Sequence, residues 1–269
     1  MTRRPPAAQT ALGPMAIAAI ERHLPPALRY TTQACRWPAV RAWMISASEQ
    51  RAPGIWGGVL CRKRYADDKV TEAFQAGIRQ LVVLGAGLDT RAYRLTPPEA
   101  RAFELDLSAN IADKQRRLRT PDSAVPGQVR LISIDFETRR PGHGAGRARV
   151  PARPAGHVRV GGRHPVPDRR RCSRHHGVLV RGRCGQQVAV HLPAQGLPRR
   201  GGRVPDFVVK RRVWRFGLAP AEVGTLLAQY GWTEREQVGA EDYRSRYLRP
   251  AGRDLPVSDL ERFAYAEKQ

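Results

Sequence analysis

The residues with the clearest chemical potential are a glycine pair, two strand-end aspartates and an arginine-bearing approach. Gly85 and Gly87 lie in QLVVLGAGLDTRAYRL, residues 80–95. Glycines in that pattern let the backbone turn tightly and come close to a ligand. Asp89 or Thr90 fits the cap of a helix start, and a helix N-terminus suits an anionic group. Asp106 closes AFELDL (102–107), about twenty residues beyond the glycine turn, and Asp135 closes VRLISIDF (129–136). A carboxylate at that distance accepts hydrogen bonds from ribose hydroxyls in a doubly wound sheet. Arg62 and Arg64, in RKRYADD, have the forked donors that clamp a carboxylate. A solvated basic turn is the alternative for the two arginines, and spacing alone favours it.

These side chains need elements to hold them. Leu81 to Leu84 is an unbroken apolar run, the mark of a strand buried on both faces of a parallel sheet. AFELDL and VRLISIDF read as the next two strands. A helical pattern through Ile111, Lys114 and Leu118 lies between them, with Ser108 placed to cap it. Val70, Ala73 and Phe74 predict a helix feeding the first strand, stopped by Gly77. Together these units form a βαβαβ half-sheet. Downstream, PAEVGTLLAQY (220–230) predicts a helix with Pro220 at its first turn and Gly231 as its stop, and Gly231-Trp232 opens a further strand. Upstream, 16–23 and 39–48 read as pieces of a helical cap.

Composition narrows the class. A chain of 269 residues buries a full core. No apolar run approaches the length, roughly 18 residues, that spans a bilayer. No secretory apolar stretch follows the start. The four cysteines form no C-x-x-C pair. A cytoplasmic protein with no membrane partner is the expectation. The net charge of +23 would ordinarily point to nucleic acid. Its distribution argues against that. Residues 138–206 hold sixteen Arg, no Lys and two acids, a surplus of 14 that leaves +9 for the rest of the chain. The excess belongs to one local anomaly.

The motifs VVLGAGLDTRAYRL, FELDLSANIADK and SIDFE resemble the bacterial branch of the leucine carboxyl methyltransferase family of S-adenosyl-L-methionine-dependent enzymes. RKRYADD before the first strand and RYLRPAGR, with the later Glu261-Arg262, are similar to that family's approach and closing regions. The resemblance spans roughly 15–137 and 207–269. It implies an α/β class I methyltransferase fold, Rossmann-like and doubly wound, with a mostly parallel sheet, an antiparallel C-terminal strand and an N-terminal helical cap. It implies S-adenosyl-L-methionine as cofactor, held by Gly85, Gly87 and Asp89 in the loop, Asp106 on the ribose with Leu107 beside the adenosine, and Asp135 and Phe136 flanking the adenine. Arg64, with Arg62 as its alternate, resembles the arginine that meets the methionine carboxylate. The implied partner is a small-molecule or carboxylate-bearing acceptor, O-methylated on a carboxylate or hydroxyl.

The resulting division is 1–56 as cap, 57–137 as cofactor half, 138–206 as an atypical segment expected to be poorly ordered, and 207–269 as the C-terminal part. The atypical segment has no Phe, Tyr, Trp, Met, Lys or Glu up to Pro205, and six of the seven histidines. The E-G-x-x-x-Y-L motif that the resemblance implies near the transferable methyl is missing from it. A basic insert, a metal or nucleic-acid site on Cys172, His175, His176 and Cys184, and an out-of-frame translation compete to explain it. The third is favoured, because loss of aromatics and Lys with gain of Arg, Gly and Pro is what a shifted G+C-rich reading produces. Such a segment is expected to leave the middle of the sheet unpaired, although Val178-Leu179-Val180 and Val188-Ala189-Val190 are possible strands. Two further readings follow from it: a cofactor-binding relic without catalysis, and, more weakly, nucleic-acid binding through the arginines.

Overall fold

The computed structural model describes residues 50, 53–118, 126–134 and 219–268, and the backbone of 158–161 and 187–193. The helical cap predicted upstream, Asp135, Phe136, Val178–Val180 and the Cys172, His175, His176 and Cys184 group lie outside the described residues. Seven strands form one sheet in the order β3-β2-β1-β4-β5-β7-β6. They are β1 (Gln80–Leu84), β2 (Arg101–Asp106), β3 (Val129–Ser133), β4 (Val158–Gly161), β5 (Gln187–Pro193), β6 (Trp232–Val238) and β7 (Glu261–Lys268). The first five pair in parallel, and β7 runs antiparallel between β5 and β6. This is the mostly parallel α/β sheet with an antiparallel C-terminal strand that the sequence implied. The helices that flank it and bear on the site are α1 (Ile55–Gln75), α2 (Arg91–Arg94), α3 (Ser108–Leu118) and α4 (Pro220–Ala228).

The order reverses between β1 and β4. In open α/β sheets ligands bind at the carboxyl ends of the strands where the order reverses. The loop holding Gly85 and Gly87 follows β1 there.

Alternation along β1 explains its unbroken apolar run. Leu81 and Val83 pack with Tyr65, Val70 and Phe74 of α1, while Val82 joins Phe103, Leu105 and Ile132 in a separate cluster. Both faces are covered, so Leu81–Leu84 is apolar at both parities. Helix α1 ends as predicted. Gly77 takes φ 89°, and the N–H groups of Gly77 and Ile78 donate to the Phe74 and Ala73 carbonyls, a glycine stop of the expected kind. Helix α4 begins on Pro220, and the Glu222 carboxylate accepts the Ala219 N–H at 3.0 Å, half of a capping box.

The middle of the sheet differs from the expectation. β4 pairs with β1 over Leu81–Leu84, and β5 pairs with β4 and β7, so the strand next to β1 is partnered. The physical reason is local. VRVG contains no proline, and QVAVHLP carries its proline only at the last position. The ladder donors therefore survive inside an otherwise proline-rich segment. Val188–Val190 falls within β5.

Candidate functional site

The glycine loop is built by strand pairing. The N–H groups of Gly85 and Ala86 both donate to the Leu105 carbonyl of β2, at 2.8 and 3.3 Å. Gly85 and Gly87 then adopt φ 63° and 48°, left-handed values that a side chain disfavours. The turn points the Gly87 N–H at Asp106 Oδ2, 2.5 Å away. Asp106 Oδ1 accepts the Leu107 N–H at 2.6 Å and Asn110 Nδ2 at 2.9 Å, at the start of α3. Gly85, Gly87, Asp106 and Leu107, separated by some twenty residues in sequence, are thus brought to one sheet edge.

The helix after the loop is short, Arg91–Arg94. Helix α2 is a single turn, and Thr90 makes no capping bond with its side chain, whose Oγ1 accepts from Arg94 Nε at 2.9 Å. Asp89 Oδ1 takes the Arg91 N–H at 2.8 Å instead. One turn aligns few peptide dipoles, and its first donor is already satisfied, so α2 offers little to an anion.

Behind the loop lies a cluster of buried charges that sequence spacing did not reveal. Arg91, 5% exposed, pairs with Asp89 Oδ2 and with Asp67 Oδ1 of α1 at 2.6 Å, and its Nη2 donates to the Lys63 carbonyl. Arg94 reaches Asp67 Oδ2 at 2.8 Å. On the other side Lys114 of α3 contacts Glu104 Oε2 of β2 at 2.5 Å and donates to the Asp89 carbonyl at 2.6 Å. Burial by itself would raise the Asp89 carboxyl, but Arg91, Lys63 and Lys114 and the Arg91 N–H hold it well below the usual carboxylate range, since nearby positive charge favours the ionised form. Burial pushes the Lys63 ammonium down, with Asp89 opposing. The available signal was Lys63 and Asp67 at i,i+4 on α1 together with Asp89 and Arg91 two apart. In sequence such charges read as a solvated face, because only the tertiary packing of α1 against the loop buries them.

The two arginines separate. Arg62, 7% exposed, points across α1 to Glu261 of β7 at 3.0 Å. Arg64 has a side chain 44% exposed and pairs with Asp68 at 3.0 Å. Arg64 and Asp68 line a pocket of roughly 340 Å³ together with Thr71, Arg94 and Leu95. Tyr247 closes this corner by donating to Asp68 Oδ2 at 2.9 Å, so RKRYADD and RYLRPAGR meet in space. Tyr243 packs as a fully buried core residue. Among the described residues no helix is long and apolar enough to cross a membrane, and no group of three or more His, Cys, Asp or Glu is placed to hold a metal ion.

Comparison with known proteins is consistent with this arrangement. The leucine carboxyl methyltransferase family profile matches residues 20–143. A protein of Mycolicibacterium paratuberculosis, whose name marks it provisionally as an S-adenosyl-L-methionine-dependent methyltransferase, is 43% identical over 79 residues. That match covers 29% of this chain and 26% of the relative, so the chain spans about a quarter of that protein's length. A similarly named Streptomyces avermitilis protein is 26% identical over 205 residues, 76% of this chain and 72% of the relative. A solved structure of a DUF574 family protein from Streptomyces avermitilis superposes with TM-score 0.62 at 17% identity, over 95% of this chain and 97% of the other, and shows the shared fold. The resemblance to the leucine carboxyl methyltransferase family drawn from the sequence motifs is borne out over residues 20–143.

Proposed function

We propose that this chain binds S-adenosyl-L-methionine and transfers its methyl group to an oxygen of a small-molecule acceptor. The observation that carries the reading is Asp106, a buried carboxylate at the sheet's switch-point edge that faces the left-handed glycine loop. A carboxylate has about four lone-pair directions, and three are taken by Gly87, Leu107 and Asn110. One remains for a ribose hydroxyl, and the Asn110 amide is the contact that a second hydroxyl would displace. The names carried by the relatives support the same cofactor.

The roles then follow from this chain's groups. Asp106 orients the ribose, and Leu107 offers an apolar surface beside the adenosine. Gly85 and Gly87 let the backbone approach without side-chain interference. Arg64, exposed and with only a neighbouring carboxylate on the same helix face, is the better candidate than Arg62 for the methionine carboxylate, because Arg62 is committed to Glu261. Asp89 serves the cofactor through the loop's shape, since its carboxylate is engaged by Arg91. Asp135 and Phe136 are assigned to the adenine. The bound cofactor supplies an electrophilic methyl on a sulfonium. A carboxylate acceptor is already ionised at neutral pH and needs no general base, so positioning and water exclusion carry the rate.

The absence of E-G-x-x-x-Y-L from the sequence favours one second reading, a cofactor-binding relic. Calorimetry with S-adenosyl-L-methionine and labelled-methyl transfer to a cell extract separate the two. Binding with transfer supports the enzyme, and binding without transfer supports the relic. No heat of binding, with an Asp106→Ala variant indistinguishable from the parent, removes both.

A further inference from the structure

The buried cluster ends on α3, at a residue with no role so far. Lys114 is 4% exposed, and its Nζ sits 2.5 Å from Glu104 Oε2, 2.6 Å from the Asp89 carbonyl and 5.2 Å above the Tyr93 ring. The Tyr93 hydroxyl donates to the same Glu104 oxygen at 3.0 Å, and Glu104, 0% exposed, keeps Oε1 without a hydrogen-bond partner among the described residues. Burial pushes the Glu104 carboxyl up, and Lys114 opposes it.

Stability is a poor explanation for this pair. Taking both ions from water is costly, and well-packed apolar residues often serve as well. An orphaned carboxylate oxygen adds to that cost. The pair does supply a charged donor at a fixed point under the carbonyl of Asp89, at the exit of the glycine loop. A charge-assisted bond is shorter and roughly twice as strong as a neutral one. The loop's entry is already fixed by the Leu105 carbonyl and Asp106. With Lys114 the loop is held at both ends.

We propose that Lys114, charge-balanced by Glu104, is a positioning residue that sets the glycine loop for the cofactor through the Asp89 carbonyl. This rests on the cofactor reading above. The test uses Lys114→Met, the double variant Lys114→Met/Glu104→Gln, and Lys114→Arg as the conservative rescue. Lys114→Met strands a buried carboxylate and is expected to lower the melting temperature. The double variant removes both charges and recovers most of that loss. It is nevertheless expected to exchange the amides of residues 87–91 about tenfold faster in the ligand-free protein, and to bind S-adenosyl-L-methionine about tenfold more weakly. Lys114→Arg keeps both values near the parent's. Unchanged exchange in the double variant overturns the proposal, as does faster exchange with unchanged affinity. If the parent itself fails to bind S-adenosyl-L-methionine, the cofactor reading fails on that measurement, and loop exchange alone decides whether Lys114 positions the loop.

Discussion

Residues 55–118 and residues 138–206 are both rich in charge, and they use it in opposite ways. The first stretch has eleven basic and eight acidic residues, and its buried bases are matched to acids across elements: Arg91 to Asp67 and Asp89, Arg94 to Asp67, Lys114 to Glu104. The second has sixteen arginines and two acids. An arginine cannot be neutralised by losing its proton, so a buried one needs a carboxylate, and here fourteen would find none within the segment. Charge becomes architecture only where the opposite sign is available. What the second region contributes to the described fold is backbone: two short proline-poor strands that complete the ladder between β1 and β7.

The cross-element pairing of the first region depends most on Arg91. Arg91→Met leaves Asp67 and Asp89 with one partner fewer in a buried site and is expected to cost about 3–5 kcal/mol, read as a drop in denaturation midpoint. A change under about 1 kcal/mol, the scale of an exposed pair, would mean that the cluster is not the organised unit described here.

Asp106→Asn comes next. It keeps the side chain's shape but weakens charge-assisted bonds to Gly87 and Leu107. Bonds of that type are worth roughly 1.5–3 kcal/mol each. Calorimetry should show S-adenosyl-L-methionine affinity down by about tenfold or more.

Acid titration probes Asp89. Its folded-state pKa is depressed below the unfolded value of about 3.9. Its stabilisation is therefore whole above about pH 4 and fades as pH falls from there toward the folded value. In melting curves taken across the acid limb from neutral pH, Asp89→Asn should start lower and lose less than the parent. Parallel limbs would remove Asp89 from the linkage.

The smallest stability effect is expected at Arg64, whose pair with Asp68 is substantially exposed. Exposed i,i+4 pairs of this kind contribute at most about 0.5 kcal/mol. Arg64→Met should therefore barely move the melting temperature while weakening cofactor binding. Arg62→Met should do the reverse, because it strips Glu261 of its buried partner. Equal affinities for parent and Arg64→Met would return Arg64 to the solvated-face reading.

The origin of the second region is settled by nucleotides. The family profile match ends at residue 143, within a few residues of the composition change at 138. Sequencing codons 135–210 should reveal two compensating indels whose correction restores E-G-x-x-x-Y-L. An intact frame would make the basic segment a true feature of this chain.

The sequence by itself determined the scaffold of the site. Leu81–Leu84, Gly85, Gly87 and the strand-end Asp106 follow from apolar runs, glycine and spacing, all local signals with a short period. So do the stop at Gly77 and the start at Pro220. The helix after the loop is a single turn, Arg91–Arg94, closed ahead of Pro97-Pro98. The family resemblance put Arg64 ahead of Arg62, but the spacing of the two did not separate them. Arg62 and Arg64 are two residues apart, and only the position of Glu261, far along the chain, commits one and leaves the other at the pocket. Lys63, Asp67, Arg91, Glu104 and Lys114 looked like ordinary polar residues because a charge in sequence carries no sign of being buried. Packing α1, β2 and α3 around the loop removed the water that would have screened them. That made their pairing part of the site.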